Sequence, residues 1–401
     1  MAGPGLRRPR AGALLGGLGF LLIGWTGLLV PSLIRSVEGQ FGQTDAGLGL
    51  FYFLAAGAYA VGSFGGGFAT ERLGRRSVMS LSMLLIGTGL VAMGTVPSWT
   101  LFLLAALPLG VGSGAIDGGV NGLVLDLYPT SRGQALNRFH LFFSLGALAT
   151  PLVVGRLIES GVGWQTVILG TTLVVFPLAG LFALAPMPSG RHSRVEDDPG
   201  GEDVEGGGRV NAPIAYALPL ILLGVAIACY VASEIGVSSW LVRYLAAAPL
   251  GTATAALSLY WAGLTLGRLV SARVADRFDH RRLAVASSLL AATATTLALV
   301  APSIELSVAL FGVAGFASGP IYPLIMAIGG DRYPDRSAAV SGFLAGSAVL
   351  GSIAYPPVMG LMSVTIGLPA AMFGTALLGL ACAAALTLSG RVAGSAAGAA
   401  A

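Results

Sequence analysis

The chain contains no lysine; its 22 basic residues are all arginine. Charged residues of either sign make up only 10% of its 401 residues, against 55% hydrophobic, and mean hydropathy is +0.83. A soluble domain needs far more charge to cover its surface, so that class is excluded. Cysteine is nearly absent too. Cys229 and Cys382 both fall inside apolar stretches far apart in sequence, which rules out a disulfide framework and leaves two inert buried thiols. With three histidines besides, no metal-ligand spacing arises. There is no glycine-rich phosphate loop, no nucleotide-binding domain and no Ser-His-Asp arrangement. Neither an enzyme nor a cofactor is expected, and any uphill work must draw on an ion gradient. The net charge of +4 comes from arginines scattered through short loops, so nucleic acid is not an expected partner.

What the chain has instead is long apolar runs. Segments of spanning length fall at 13–34, 46–69, 77–96, 100–125, 136–158, 165–186, 213–242, 253–274, 283–301, 306–328, 338–361 and 368–389. The first follows MAGPGLRRPR, which superficially resembles a signal peptide, but the run is too long for a cleaved signal core and reads as a spanning helix. Between the sixth and seventh segments lies the polar, acid- and glycine-rich GRHSRVEDDPGGEDVEGGGRVN, which has the composition of a linker. The expected organisation is an all-α membrane protein of twelve transmembrane helices in two six-helix bundles: 1–189, a cytoplasmic linker 190–212, a second bundle 213–390, and a flexible tail 391–401. With both termini in the cytoplasm, nearly all arginines gather on the inner side and only Arg35, Arg156 and Arg243 on the outer. That is the positive-inside arrangement of a multi-pass protein of the plasma, or bacterial inner, membrane. A monomer is expected.

The two bundles are related by a repeat. A shift of 205 residues carries Glu71-Arg72 onto Asp276-Arg277, Asp126 onto Asp331, Tyr128-Pro129 onto Tyr333-Pro334 and Pro151 onto Pro356. Six spans per half give the halves the same orientation, a parallel duplication of the kind found in transporters that rock two bundles around a midplane site. The fourth segment carries Asp117 and Asn121, four apart and on one helical face, in a run where a carboxylate costs roughly 2.5–3.5 kcal/mol to bury. Gly110, Gly114, Gly118 and Gly122 form an adjoining stripe that lets another backbone approach. The shift places Asp117 on Tyr322, inside Ser318-Gly319-Pro320-Ile321-Tyr322-Pro323. Prolines at that depth break a helix and are tolerated only where the freed groups are buried or line a cavity.

Between the second and third segments stands Gly67-Phe-Ala-Thr-Glu71-Arg72-Leu-Gly74-Arg75-Arg76, echoed by Asp276-Arg277 and Arg281-Arg282. This resembles the signature loop of the major facilitator superfamily and reads as a cytoplasmic latch, with Asp126 and Asp331 as further latch partners. The fifth segment opens Leu136-Asn137-Arg138-Phe139-His140-Leu141-Phe142-Phe143; the seventh reads Tyr230-Val-Ala-Ser-Glu234 and continues to Trp240; the eighth holds Gly267-Arg268. With the acid and asparagine of the fourth segment, these resemble the branch of that superfamily containing fucose, glucose and galactose proton symporters. One departure is that the first segment has no carboxylate here.

The resemblance implies proton-coupled uptake of a small polar solute, such as a sugar, by alternating access. Asp117 and Glu234 are the expected proton carriers, with Glu234 the acid to look for across the bundle interface from Asp117. Asn121, Asn137, His140, Tyr230, Tyr322, Trp240, Trp261 and Arg268 are the expected solute ligands. His140 could equally be a packing histidine, the aromatics could be core, and Arg268 could pair with Glu234 or latch to Asp331. The expected partners are the solute, protons and the bilayer. Two other readings keep this sequence pattern: a proton-antiporting exporter of apolar or cationic compounds, and a non-transporting membrane sensor or scaffold.

Overall fold

The computed structural model describes residues 8–128, 132–187 and 218–398. All regular structure among them is helical: α1 (Arg8–Phe41), α2 (Asp45–Leu73), α3 (Arg75–Thr95), α4 (Trp99–Leu127), α5 (Arg132–Glu159), α6 (Trp164–Leu184), α7 (Leu218–Tyr244), α8 (Leu250–Val274), α9 (His280–Leu299), α10 (Ile304–Ser318), α11 (Ile321–Arg332), α12 (Ser337–Ile366) and α13 (Leu368–Gly398), with short 3-10 turns at Ala275–Arg277 and Pro334–Arg336. The expected linker at 190–212 lies outside the described residues. The tail expected after 390 continues α13 as helix to Gly398, in keeping with its alanine content.

Among the described residues, eleven helices are long and apolar enough to cross a membrane, taking α10 and α11 as one span. The remaining member of the expected twelve is α8. It has 25 residues but is more polar, with Thr254, Ser258, Tyr260 and Ser271 buried on it and Arg268 and Arg273 toward its end. The helix packs against α5, α7 and α10, where protein replaces lipid.

The repeat is written into the helix boundaries. Helix starts step from 45 to 250, 75 to 280, 99 to 304 and 132 to 337, a step of 205 each time. The caps follow: Ser98 accepts from the Leu101 amide at the start of α4, and Ser303 from the Leu306 amide at the start of α10. Packing repeats as well. Within the first half α1 packs on α5, α2 on α4 and α3 on α6; within the second α7 packs on α12, α8 on α10 and α9 on α13. Across the halves α2 meets α12, α5 meets α8 and α1 meets α7; the first two exchange under the repeat and the third maps onto itself.

Glycine sets the closeness of the α2–α4 pair. A Cβ on Gly110 would lie 2.7 Å from the Ala55 carbonyl oxygen, and one on Gly114 would collide with the Tyr59 carbonyl oxygen and sit 2.7 Å from the Ser63 nitrogen. In the second half Gly315 and Gly319 of the α10 segment meet the Tyr260 and Leu264 carbonyls of α8 in the same way. The halves differ at one place. Helix α4 is continuous from Trp99 to Leu127, whereas its counterpart breaks between Ser318 and Ile321. Pro320 and Pro323 have no N–H to give the carbonyls four residues back, and the Phe316 carbonyl so released is covered by Gly267 of α8.

One end of the molecule carries Arg72, Arg75, Arg76, Arg277, Arg281, Arg282, Arg332 and Arg336; the other carries Arg35, Arg156 and Arg243. These are the arginine-rich and arginine-poor ends.

Candidate functional site

Asp117 sits on α4 between Gly114 and Gly118, both of which face the α2 backbone at Tyr59 and Ser63. Asn121, one turn on, donates through Nδ2 to Asp117 Oδ1 at 3.2 Å. The Tyr59 side chain of α2 adjoins the same carboxylate. Both neighbours are neutral, and among the described residues no arginine or histidine forms an ion pair with Asp117. Tyr322, the residue the repeat sets opposite Asp117, reaches the same region from the other half and lies within electrostatic range of Asp117, Arg268 and Glu234.

The second half supplies an ion pair. Arg268 Nη2 of α8 lies 3.8 Å from Glu234 Oε1 of α7, with Glu234 only 7% exposed. The Tyr230 hydroxyl is buried beside both without a well-aligned hydrogen-bond partner. Tyr260 adjoins Glu234 and lies beside Ser318 at the helix break. His140 of α5 packs on the Phe20 ring at 4.9 Å and faces Arg268 from the first half. A desolvated pair of this kind holds little net stability against its solvation cost but is sensitive to loss of either partner.

One pairing differs from expectation, and another falls on one of the alternatives left open, Arg268 with Glu234. Glu234 is not partnered with Asp117 across the interface; each acid has its own company, because Arg268 projects from α8 to α7 within the second half. Arg268 therefore does not latch to Asp331, whose partner is His280, with His280 Nδ1 to Asp331 Oδ2 at 3.3 Å. Trp240 is fully buried, donates to the Pro356 carbonyl oxygen at 3.1 Å and meets Tyr52 edge to face at 5.7 Å, so its polar edge is occupied by protein. Trp261 packs against Phe143 of α5 at 5.8 Å, with its indole N–H buried and unpartnered. The side chains of Asn137 and Asp276 lie outside the described residues.

At the arginine-rich end Arg75 Nη2 meets Asp126 Oδ2 at 2.7 Å. The repeat carries this pair onto His280 and Asp331, so the two side-chain pairs are one element written twice, with a histidine in the second copy. Arg76 donates to the Ala183 carbonyl oxygen at the end of α6. Gly74 joins α2 to α3 with φ of +79° and ψ of 148°, a conformation that requires glycine. A Cβ on Gly67 would meet nothing within 4 Å. Glu71, Arg72 and Arg277 are exposed and form no ion pair among the described residues.

The hydrogen bonds and ion pairs that join the two halves among the described residues gather toward the arginine-poor end: Arg35 to the α7–α8 turn, Arg243 to Glu38 and Asp45, Ser363 to Asp45, Tyr52 to Ser239, Glu159 to Gly251 and Ser258 to Leu148. Motif reasoning missed this seal, and it missed Tyr59. Neither belongs to a repeated or spaced pattern. The only signal was the unexplained presence of Glu38, Asp45 and Glu159 near segment ends already holding Arg35 and Arg243.

The family model described as Major Facilitator Superfamily matches residues 13–248 and again 212–399. The gentisate transporter of Corynebacterium glutamicum is 25% identical over 392 residues, covering 93% of this chain and 86% of that protein. Among solved structures, a bacterial homologue of the human lysosomal transporter Spinster in an inward-facing, unoccupied conformation superposes with a TM-score of 0.79 at 17% identity, covering 96% of this chain and 97% of that one. The Escherichia coli fucose:proton symporter superposes with a TM-score of 0.60 at 20% identity, covering 94% and 98%.

Proposed function

Because the chain belongs to the Major Facilitator Superfamily, we propose that it is a secondary active transporter that imports a small polar solute together with a proton by alternating access. The observation that carries this reading is the company kept by Asp117. Its carboxylate accepts from Asn121 and has the neutral Tyr59 beside it, so it takes up or releases a proton without breaking an ion pair. Glu234 is by contrast neutralised by Arg268. With Asp117 protonated, the two halves together present no net charge to the solute. The match is to an uncharged, hydroxyl-rich molecule bound by Asn121, Tyr322, Tyr230 and His140, with the Trp261 N–H as a further donor.

In the cycle we propose, the arginine-rich end is cytoplasmic, with the linker, both latches and both termini on that side of the plasma membrane. The seal at the other end then makes this the inward-facing form. Asp117 gains its proton when the outer end opens, solute binds between α4, α5, α7 and the α10–α11 break, and inward opening releases both. Tyr322, in reach of Asp117 on one side and of Arg268 and Glu234 on the other, links the proton site to the solute site.

A second reading, transport of an organic anion, is favoured by one observation: Arg268 is 3.8 Å from Glu234, loose for a carboxylate pair, so its guanidinium has donors to offer a substrate carboxylate. The gentisate transporter among the relatives fits that chemistry. Thermal-shift screening of the purified protein with L-fucose, D-xylose, D-glucose and gentisate separates the two. Asp117→Asn in proteoliposomes then tests coupling with the stabilising solute. Gradient-driven uptake should fall to the level of empty liposomes while solute exchange persists. Normal gradient-driven uptake in the variant would remove Asp117 from the mechanism.

A further inference from the structure

The turn between α7 and α8 is held at both ends by the other half of the molecule. Helix α7 stops at Tyr244, where its last carbonyl oxygens run out of following helix amides, although the Leu245 carbonyl still accepts from the Ala248 N–H at 2.9 Å. Arg35 of α1 fills that gap. Its Nε donates to the Val242 carbonyl at 3.0 Å, one Nη to the Ala248 carbonyl at 2.9 Å and the other Nη to the Leu245 carbonyl. Helix α8 then begins at Leu250 with unpaired amides, and Glu159 at the end of α5 accepts from the Gly251 N–H at 2.7 Å. The charges have the signs that the helix ends favour, a cation at the carbonyl terminus of α7 and an anion at the amide terminus of α8. Gly251 is shaped for this contact: a Cβ there would run into the Glu159 carboxylate, 2.6 Å from its carbon.

We propose that Arg35 and Glu159 form a clamp on the facing termini of α7 and α8, and that releasing this clamp is the step that sets how readily the arginine-poor end opens. It is a dedicated device and no product of the duplication. The shift of 205 that pairs the latches puts Trp240 opposite Arg35 and Val364 opposite Glu159, neither able to cap a helix. The clamp is reinforced at the same turn, because Arg243 bridges Glu38 at 2.9 Å and Asp45 at 3.1 Å, and the Ser363 hydroxyl donates to Asp45. Opening this end requires α7 and α8 to leave α1 and α5, so all of these contacts must break together. The inference rests only on the two halves moving apart, which is the mechanical part of the function proposed above, and not on the identity of the solute or the coupling ion.

The test uses Ser258, which is 7% exposed and donates to the Leu148 carbonyl across the same seam at 2.9 Å. In purified full-length protein lacking Cys229 and Cys382, Ser258→Cys reports opening through its rate of reaction with a maleimide. Arg35→Ala should raise that rate about tenfold or more, since charge-assisted hydrogen bonds to three carbonyls are lost. Arg35→Lys, which has no fork to span them, should fall between. Gly251→Ala displaces Glu159 without changing any charge and should also raise the rate. A parallel protein retaining only Cys382, buried in the second half, controls for unfolding. Unchanged Ser258→Cys labelling in Arg35→Ala and Gly251→Ala overturns the proposal. So does a rise matched by equal labelling of Cys382, which would make the clamp a general structural support. The readout needs neither solute nor proton gradient, so a wrong solute assignment leaves its outcome intact.

Discussion

A single methyl group placed at Gly114 should injure this protein more than almost any exposed substitution. Its Cβ would collide with the Tyr59 carbonyl oxygen and lie 2.7 Å from the Ser63 nitrogen, both backbone atoms of α2. No side chain there can rotate away, so α2 and α4 must separate. Overpacking of this type costs typically 1–3 kcal/mol and more where nothing yields, while Gly→Ala in a helix returns about 1 kcal/mol of propensity. The net loss should be about 2 kcal/mol. Gly319→Ala tests the same argument in the second half, where the clash is with the Leu264 carbonyl and the Arg268 nitrogen at 2.7 Å, so the displaced backbone there carries a candidate site residue. The control is Gly170→Ala on α6, whose Cβ would meet nothing within 4 Å; it should be neutral or stabilising by up to about 1 kcal/mol. Melting in detergent can be followed with a thiol-reactive dye, because Cys382 is fully buried until the fold opens. If Gly114→Ala melts with or above Gly170→Ala, the glycine seam does not set the helix spacing and the argument fails.

Two further outcomes follow from the arginine-rich end. Asp126→Asn should lower stability by roughly 1–3 kcal/mol, because it leaves the guanidinium of Arg75, 5% exposed and with Nε and Nη1 already unpartnered, without its counter-charge. The repeat counterpart Asp331→Asn, on a pair whose acid is 73% exposed, should change it by no more than about 1 kcal/mol; equal losses in the same melting assay would show that the latches do not differ as their burial says. Gly74→Ala should cost about 1–3 kcal/mol through its positive φ, whereas Gly67→Ala, with open space around it, should be neutral, a contrast the same melts would resolve.

What could be read before the fold was known, and what could not, divides along the repeat. Spanning segments announce themselves by length and hydropathy, and the shift of 205 read from four features of the sequence recurs in four helix starts and two serine caps of the structure because duplicated sequence keeps its boundary signals. The helix break opposite Asp117 was legible for the same reason: two prolines in an apolar run have a fixed backbone consequence. The partners of charged residues were not legible. Whether Arg268 meets Glu234, Asp117 or Asp331 depends on how α7 and α8 turn about their axes, and the spacing of residues along one helix carries no information on that. The clamp is the extreme case. Arg35 and Glu159 act on the backbone of residues more than ninety positions away, so their targets have no side-chain identity that a motif could contain. They also lie outside the duplication. The regularity that points to the proposed site therefore hides the proposed clamp, and in a protein of two repeated halves the charged residues that fail to repeat are the ones that distinguish one end from the other.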